Sequence, residues 1–377
     1  MTRSAQILCV VAAAGMACAA TAQTTQPNPI PQFDAELDIN SGQVANTGKE
    51  LLPVISEVIN VPNADWLRLR FDEVSFAGRK ELGNESYLRI TSIEDGAVQY
   101  LDKTSIKQWQ YTSAYFNGDT VLVELMAYPN SGANELIMSS VIAGSPPTFE
   151  ESICGSTDDR VLSSDPRAAR ALPIGCTAWM IDDSEHCFLT AGHCNGSGNG
   201  DINVVQFNVP LSNNSCTCGA INHPGPEDQY AVDASSQQTN GGGGVGNDWG
   251  YLGAFPNSNT GLKPWQASGS WYELDFATPT ATSARVTGYG SVSSSLASCT
   301  WYLVQKTHAG PFVSLSGNAL AYGMDTTGGN SGSPVTDETT GKAIGIHTHG
   351  GCSTSGGSNA GTWINHSGVV NALANPA

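Results

Sequence analysis

The chain has 377 residues, with 34 acidic side chains against 16 basic ones and a formal net charge of −18. That length is enough for two domains and a sizeable buried core. The charge sets nucleic acid and anionic membranes aside as partners, although it says little about the fold.

Residues 1–22 read as a secretory signal. Arg3 supplies the positive start, Ile7 to Ala20 the apolar stretch, and Ala20-Thr21-Ala22 the small residues of a cleavage site. The mature chain would begin near Gln23, and no later apolar run approaches membrane-spanning length. The expectation is an exported monomer acting in the extracellular space. Cys9 and Cys18 leave with the signal, and the remaining eight cysteines all lie at or beyond Cys154. An even count in an exported chain points to disulfides.

Residues 23–57 are polar and proline-bearing and read as a linker followed by a first strand. From 58 to 145 the pattern alternates, as in Trp66-Leu-Arg-Leu-Arg-Phe71, Tyr87-Leu-Arg-Ile-Thr91, Val121-Leu-Val-Glu-Leu-Met126 and Leu136 to Ile142. Short period-two segments broken by Gly, Asn and Asp predict a small antiparallel β-sandwich. The stretch Trp109 to Thr120 resembles CUB-like jelly-roll modules, and no catalytic constellation occurs here. The sandwich reads as a pro-region or an accessory module. Residues 146–170 form the boundary, where Gly, Ser, Pro and acidic residues accumulate and Arg160, Arg167 and Arg170 offer cutting points. Glu150 and Glu151 offer another, whereas no lysine occurs between Lys107 and Lys263.

From 171 to 377 strand-and-turn patterning returns. Cys176 to Ile181 and Cys187 to Thr190 read as neighbouring buried strands, Gly241 to Gly244 as a loop, and Ser367 to Ala374 as a short helix capped by Ser367. The expected fold is all-β, a pair of closed barrels with a C-terminal helix, preceded by the sandwich.

Three stretches carry chemistry. In Gly328-Gly-Asn-Ser-Gly-Ser-Pro-Val335 a serine lies between glycines in a run too glycine-rich for a helix. Such a turn can present the Ser331 hydroxyl to a carbonyl carbon while the amides of Gly329 and Ser331 face the oxygen that becomes negative. Leu189-Thr-Ala-Gly-His-Cys194 sets His193 just after an apolar strand, where an imidazole of ordinary pKa near 6.5 can take and return a proton. Asn247-Asp-Trp-Gly-Tyr-Leu-Gly-Ala254 puts Asp248 at the head of another apolar strand. Each also has a plainer reading, as a loop serine, a structural histidine or a capping aspartate, and for Asp248 alone the capping role is the better one. Cys216 and Cys218 with His223, or His186 and Cys187 with His193 and Cys194, supply zinc-ligand types, but their spacing fits no closed structural site. No metal or cofactor is expected.

Taken together, His193, Asp248 and Ser331, in that order and 55 and 83 residues apart, resemble the triad of chymotrypsin-like serine proteases. The resemblance implies a double β-barrel from about Cys154 to Leu373, endopeptidase activity through an acyl-enzyme, and protein or peptide substrates. It also implies a Cys176–Cys194 disulfide. Within that class, Asp325 to Val335 and Gly345-Ile-His-Thr348 resemble the glutamyl endopeptidases, whereas Val204 to Val209, Asn214-Ser-Cys216 and His349-Gly-Gly-Cys352 resemble the lysyl group, which implies a Cys154–Cys352 bridge. The sequence assigns no partners to the remaining cysteines, Cys187, Cys216, Cys218 and Cys299.

The resemblance implies that the residue accepted before the scissile bond is set by Asp325, Thr326, His347 and Thr348. In the glutamyl group the positions of Thr326 and His347 hold the substrate carboxylate. Asp325, six residues before Ser331, stands where trypsin-like enzymes carry the aspartate that binds arginine or lysine. Facing the pocket it would favour a basic residue, and hydrogen-bonded elsewhere it would leave the pocket to glutamate, with aspartate taken less well. A reading of another class is a binding protein in which the sandwich acts and the protease-like half is inactive.

Overall fold

The computed structural model describes residues 27–144, 151–195, 201–213, 221–293 and 298–376. The expected signal, Glu150, and Cys216 and Cys218 lie outside these residues.

The N-terminal sandwich is two antiparallel sheets packed face to face. One runs Gln32–Asn40, Ala133–Gly144, Trp66–Arg70, Thr112–Asn117, and the other Leu52–Asn60, Thr120–Ala127, Tyr87–Ser92, Val98–Leu101. Alternation is the cause: along Tyr87–Ser92 every second side chain is buried, which sends Leu88 and Ile90 inward. Residues 23–57, read as a linker followed by one strand, hold one whole strand and most of a second. Gln32–Asn40 and Leu52–Asn60 are nine-residue strands of the two sheets. Their signal is weak because they lie at sheet edges, where the outer face is solvated and polar residues are tolerated.

Two closed six-stranded barrels follow. The first has the order Ala168–Leu172, Cys176–Met180, Phe188–Thr190, Gly250–Ala254, Gln229–Thr239, Val204–Gln206, returning to Ala168–Leu172. Cys176–Met180 is buried along its whole length. The second runs Lys306–Ser316, Ser283–Gly288, Pro334–Asp337, Ala343–His349, Asn359–Trp363, Ala319–Tyr322, and the last strand pairs with the first. Closure leaves neither barrel a free edge. Ser367–Leu373 is a helix that buries Val369 and Ala372. Its cap is His366 rather than Ser367, since the His366 Nδ1 accepts from the Gly368 N–H at 3.0 Å.

Disulfides join Cys154 to Cys352 and Cys176 to Cys194, and Cys299 is disulfide-bonded as well. Cys187 is a buried free thiol whose pKa burial pushes up to about 12, which makes it inert. No helix among the described residues is long and apolar enough to cross a membrane.

The arginines offered as cutting points are held in place. Arg170 is fully buried on a barrel strand, and Arg160 is 3% exposed and paired with Asp158. Arg167 pairs with Asp165 at 2.6 Å and lies over the Tyr272 ring. A protease would have to unfold a barrel strand to reach the bond after Arg170, whereas Val161 and Leu162, which follow Arg160, are exposed.

Candidate active site

His193 occupies the single turn Gly192–Cys194 that follows Phe188–Thr190, and the Cys176–Cys194 disulfide ties this turn to the neighbouring strand. Its backbone N–H donates to Asp248 Oδ1 at 3.0 Å, and its Nδ1 lies 2.6 Å from Asp248 Oδ2. A ring nitrogen that close to a buried carboxylate carries the hydrogen, so the lone pair is on Nε2 and points away from the aspartate. Asp248 is 1% exposed. Thr362, from the second barrel, brackets it: the Asp248 N–H donates to Thr362 Oγ1 at 3.0 Å, and Thr362 Oγ1 donates back to the Asp248 carbonyl at 2.8 Å.

Ser331 belongs to the turn between Thr326–Thr327 and Pro334–Asp337. Gly329 and Gly332 adopt φ of +99° and +89°, conformations that L side chains rarely take. Space excludes other residues too, since a Cβ on Gly329 would lie 2.5 Å from the Tyr289 carbonyl. A Cβ on Gly332 would lie 3.0 Å from Ala191 N, which sets the serine turn against the strand end that leads into His193. The first barrel grips the turn: Thr177 N–H donates to the Ser331 carbonyl at 2.9 Å, Thr177 Oγ1 to the Gly329 carbonyl at 2.9 Å, and Trp179 Nε1 to the Gly332 carbonyl at 2.9 Å. The histidine and aspartate thus come from one barrel, the serine from the other. The fold is that of the chymotrypsin-like serine proteases.

No protein-family model and no curated protein matches the chain. Solved structures do. A Glu endopeptidase in complex with MPD is 18% identical, with 59% of this chain and 98% of that one covered at a TM-score of 0.43. A thermostable serine protease, AL20, from an extremophilic microorganism is 16% identical, with 55% and 95% covered at 0.42. The protease Anisep from Arthrobacter nicotinovorans is 16% identical, with 60% and 98% covered at 0.41.

Asp325 is 1% exposed, and its carboxylate is occupied. Oδ1 accepts from the Cys154 N–H and Oδ2 from the Asp159 N–H, both at 2.7 Å, while the Asp325 N–H donates to His308 Nδ1. It therefore fastens the segment entering the protease half. That segment continues as a strap: Glu151–Ser152 pairs with Thr326–Thr327, and Arg160 Nη1 donates to Thr327 Oγ1 at 2.7 Å and Asn330 Oδ1 at 3.2 Å. Arg160, Asn359 and Thr362 are site-shaping residues that the sequence reading does not single out. Asn359 Nδ2 donates to Thr326 Oγ1 at 3.0 Å, and Asn359 Oδ1 accepts from Ser152 Oγ and the amides of Gly351 and Cys352. Nothing in an isolated Asn or Thr marks such roles, which depend on contacts such as Thr362 to Asp248 and Asn359 to Ser152, 114 and 207 residues apart.

His347 is fully buried on Ala343–His349. Its Nδ1 is 2.7 Å from the Tyr322 hydroxyl, which itself donates to the Ala360 carbonyl at 3.0 Å, and its Nε2 is buried without a partner among the described residues. Burial first, then the nearby His349 and His193, pull its pKa down to about 3. Thr348 Oγ1 lies 2.7 Å from His349 Nδ1. Cys176, His193 and Cys194 bring their ligand atoms together, but both sulfurs are in the disulfide and hold no metal.

These histidines set an acid limit on stability. His347 and the equally buried His223 protonate well below the ordinary value of 6.5 in the folded chain, whereas the unfolded chain takes its protons near 6.5. Below pH 6.5 the unfolded state binds more protons, so stability present at neutral pH is lost on acidification at about 1.4 kcal/mol per pH unit per histidine. Urea unfolding at pH 7 and 5 is expected to differ by about 4 kcal/mol from these two residues together. Equal stabilities at the two pH values would contradict the assignment.

Proposed function

We propose that the chain is an exported serine endopeptidase that cleaves protein and peptide substrates through an acyl-enzyme. Ser331 is the nucleophile, His193 the general base and then acid, Asp248 the group that orients His193, and the amides of Gly329 and Ser331 the oxyanion donors. The observation that carries the reading is the pair of bonds from Asp248 to the His193 backbone and Nδ1, 3.0 and 2.6 Å, with the serine turn packed against the same strand end. In the reaction His193 Nε2 takes the Ser331 proton as Oγ attacks, and passes it to the leaving amine. Water then enters by the same proton route and releases the acid product. An intact aspartate–histidine couple argues against a binding protein with an inactive protease half.

The preferred residue before the scissile bond is glutamate, with aspartate taken less well. Asp325 has both carboxylate oxygens tied to backbone amides, which removes the residue a basic side chain would need. The buried Nε2 of His347, which has no partner among the described residues, becomes a donor once it carries a hydrogen and then meets a carboxylate that would otherwise enter a dry pocket unpaired. A fluorophosphonate probe tests the chemistry: it is expected to label Ser331 stoichiometrically in the active protein. A panel of peptides differing only in Glu, Asp, Lys, Arg or Phe before the bond tests the pocket. Absence of labelling would refute the mechanism, and an Arg or Lys preference would refute the pocket assignment.

A further inference from the structure

The N-terminal sandwich meets the first barrel across a seam built like the interior of one protein. A single apolar core includes Trp66, Tyr115 and Phe116 of the sandwich with Leu172, Val204 and Ala231 of the barrel. Three side-chain amides each bracket the opposite backbone, that of Gln229 inside this core and those of Asn117 and Asn259 nearer its rim. Gln229 accepts from the Tyr115 N–H at 3.0 Å and donates to the Tyr115 carbonyl at 2.8 Å. Asn117 does the same to the His223 N–H and carbonyl, at 2.8 and 3.0 Å. Asn259 accepts from the Tyr100 N–H at 2.9 Å and donates to the Val98 carbonyl at 2.6 Å.

The bracket by Gln229 falls on Thr112–Asn117, the last strand in its sheet order, whose backbone would otherwise face outward unpaired. Beneath it, the His223 ring stacks on Tyr115 with centroids 4.6 Å apart and meets Trp66 edge-on at 5.4 Å. Arg170 is fully buried without a carboxylate partner. Its guanidinium donates to Gln206 Oε1 and to the Leu303 and Asn222 carbonyls, and Gln206 Nε2 donates in turn to Gln229. Removing the sandwich would expose this chain of buried polar groups and the apolar patch around it, both of which free proteins avoid leaving bare.

We propose that the sandwich is a permanent partner of the protease half, docked on this seam, and not a pro-region that is shed. Cleavage of the 145–150 boundary then yields a two-chain protein whose parts stay together. The inference does not depend on the enzymatic reading, because its readout is association.

The test uses the full chain carrying Ser331→Ala, to prevent self-digestion, with a specific protease recognition sequence in place of residues 146–150. After cutting, two chains are expected on a denaturing gel and one species on native gel filtration, with the sandwich retained over many column volumes. Asn117→Ala and Asn259→Ala, each of which deletes one bracket, are expected to raise the dissociation constant of the cut protein by roughly tenfold. The uncut variants, melted in parallel, separate a weaker seam from a failure to fold. Active wild-type material should likewise contain both chains by mass spectrometry. Separation of the cut parts with the protease half remaining folded and monodisperse would overturn the proposal, as would fully active native material devoid of the sandwich.

Discussion

Replacing Ser331 by alanine is expected to lower kcat by roughly 10⁵-fold or more while leaving the melting temperature and substrate affinity nearly unchanged. The side chain is buried in a turn whose position is set by backbone bonds from Thr177 and Trp179, and none of those bonds uses the serine hydroxyl. Asp248→Asn is the sharper variant. Its amide can keep the contact to the His193 backbone N–H through the oxygen, but beside Nδ1 it presents an N–H where a carboxylate oxygen stood. The imidazole then shifts its hydrogen to Nε2, the nitrogen that must accept the serine proton, and kcat falls by roughly 10⁴-fold at neutral pH. Part of the loss should be recovered at high pH, where hydroxide can assist. Steady-state kinetics across pH 6 to 10, with probe labelling as a parallel readout, checks both variants. A Ser331→Ala protein that turns over at a comparable rate would place the nucleophile elsewhere.

The three candidate triad residues stand out in the sequence because each sits in a short, contiguous pattern: His193 after an apolar strand, Asp248 before one, Ser331 among glycines that the backbone requires. The barrels were legible for the same reason, since buried strands such as Cys176–Met180 read as continuous apolar runs. What stayed hidden depends on contacts between distant segments. The role of Asp325 is decided by the amides of Cys154 and Asp159, about 170 residues earlier. Thr362 holds Asp248 across 114 residues, and Asn359 links Ser152 to Thr326. The strands Gln32–Asn40 and Leu52–Asn60 escaped because edge strands with a solvated face carry too few buried positions to show a period.

His347→Ala is expected to abolish discrimination in favour of glutamate. With the imidazole gone, the substrate carboxylate enters a buried site that has lost one donor, and losing one partner of a buried charged pair costs about 3–5 kcal/mol. For a glutamate substrate that corresponds to a fall in kcat/KM on the order of 10² to 10³-fold. A matched phenylalanine substrate needs no such donor and should change little, so the ratio of the two is the informative quantity. The proton on His347 has two possible sources. With the Tyr322 hydroxyl donating to Ala360, Nδ1 carries the hydrogen and Nε2 must be protonated to meet a carboxylate. If that hydroxyl turns to donate to Nδ1, neutral His347 presents an Nε2–H directly. Tyr322→Phe distinguishes the two routes: it removes the hydroxyl that accepts from Nδ1 in the first and fixes the tautomer in the second. On the first route, glutamate cleavage in the otherwise unaltered protein should strengthen toward acid pH and already be weak at neutrality, because the His347 imidazolium, with its pKa pulled down to about 3, is lost well below neutral pH. On the second it should stay flat through neutrality, and Tyr322→Phe should be costly. Unchanged glutamate selectivity in His347→Ala would show that other groups hold the carboxylate.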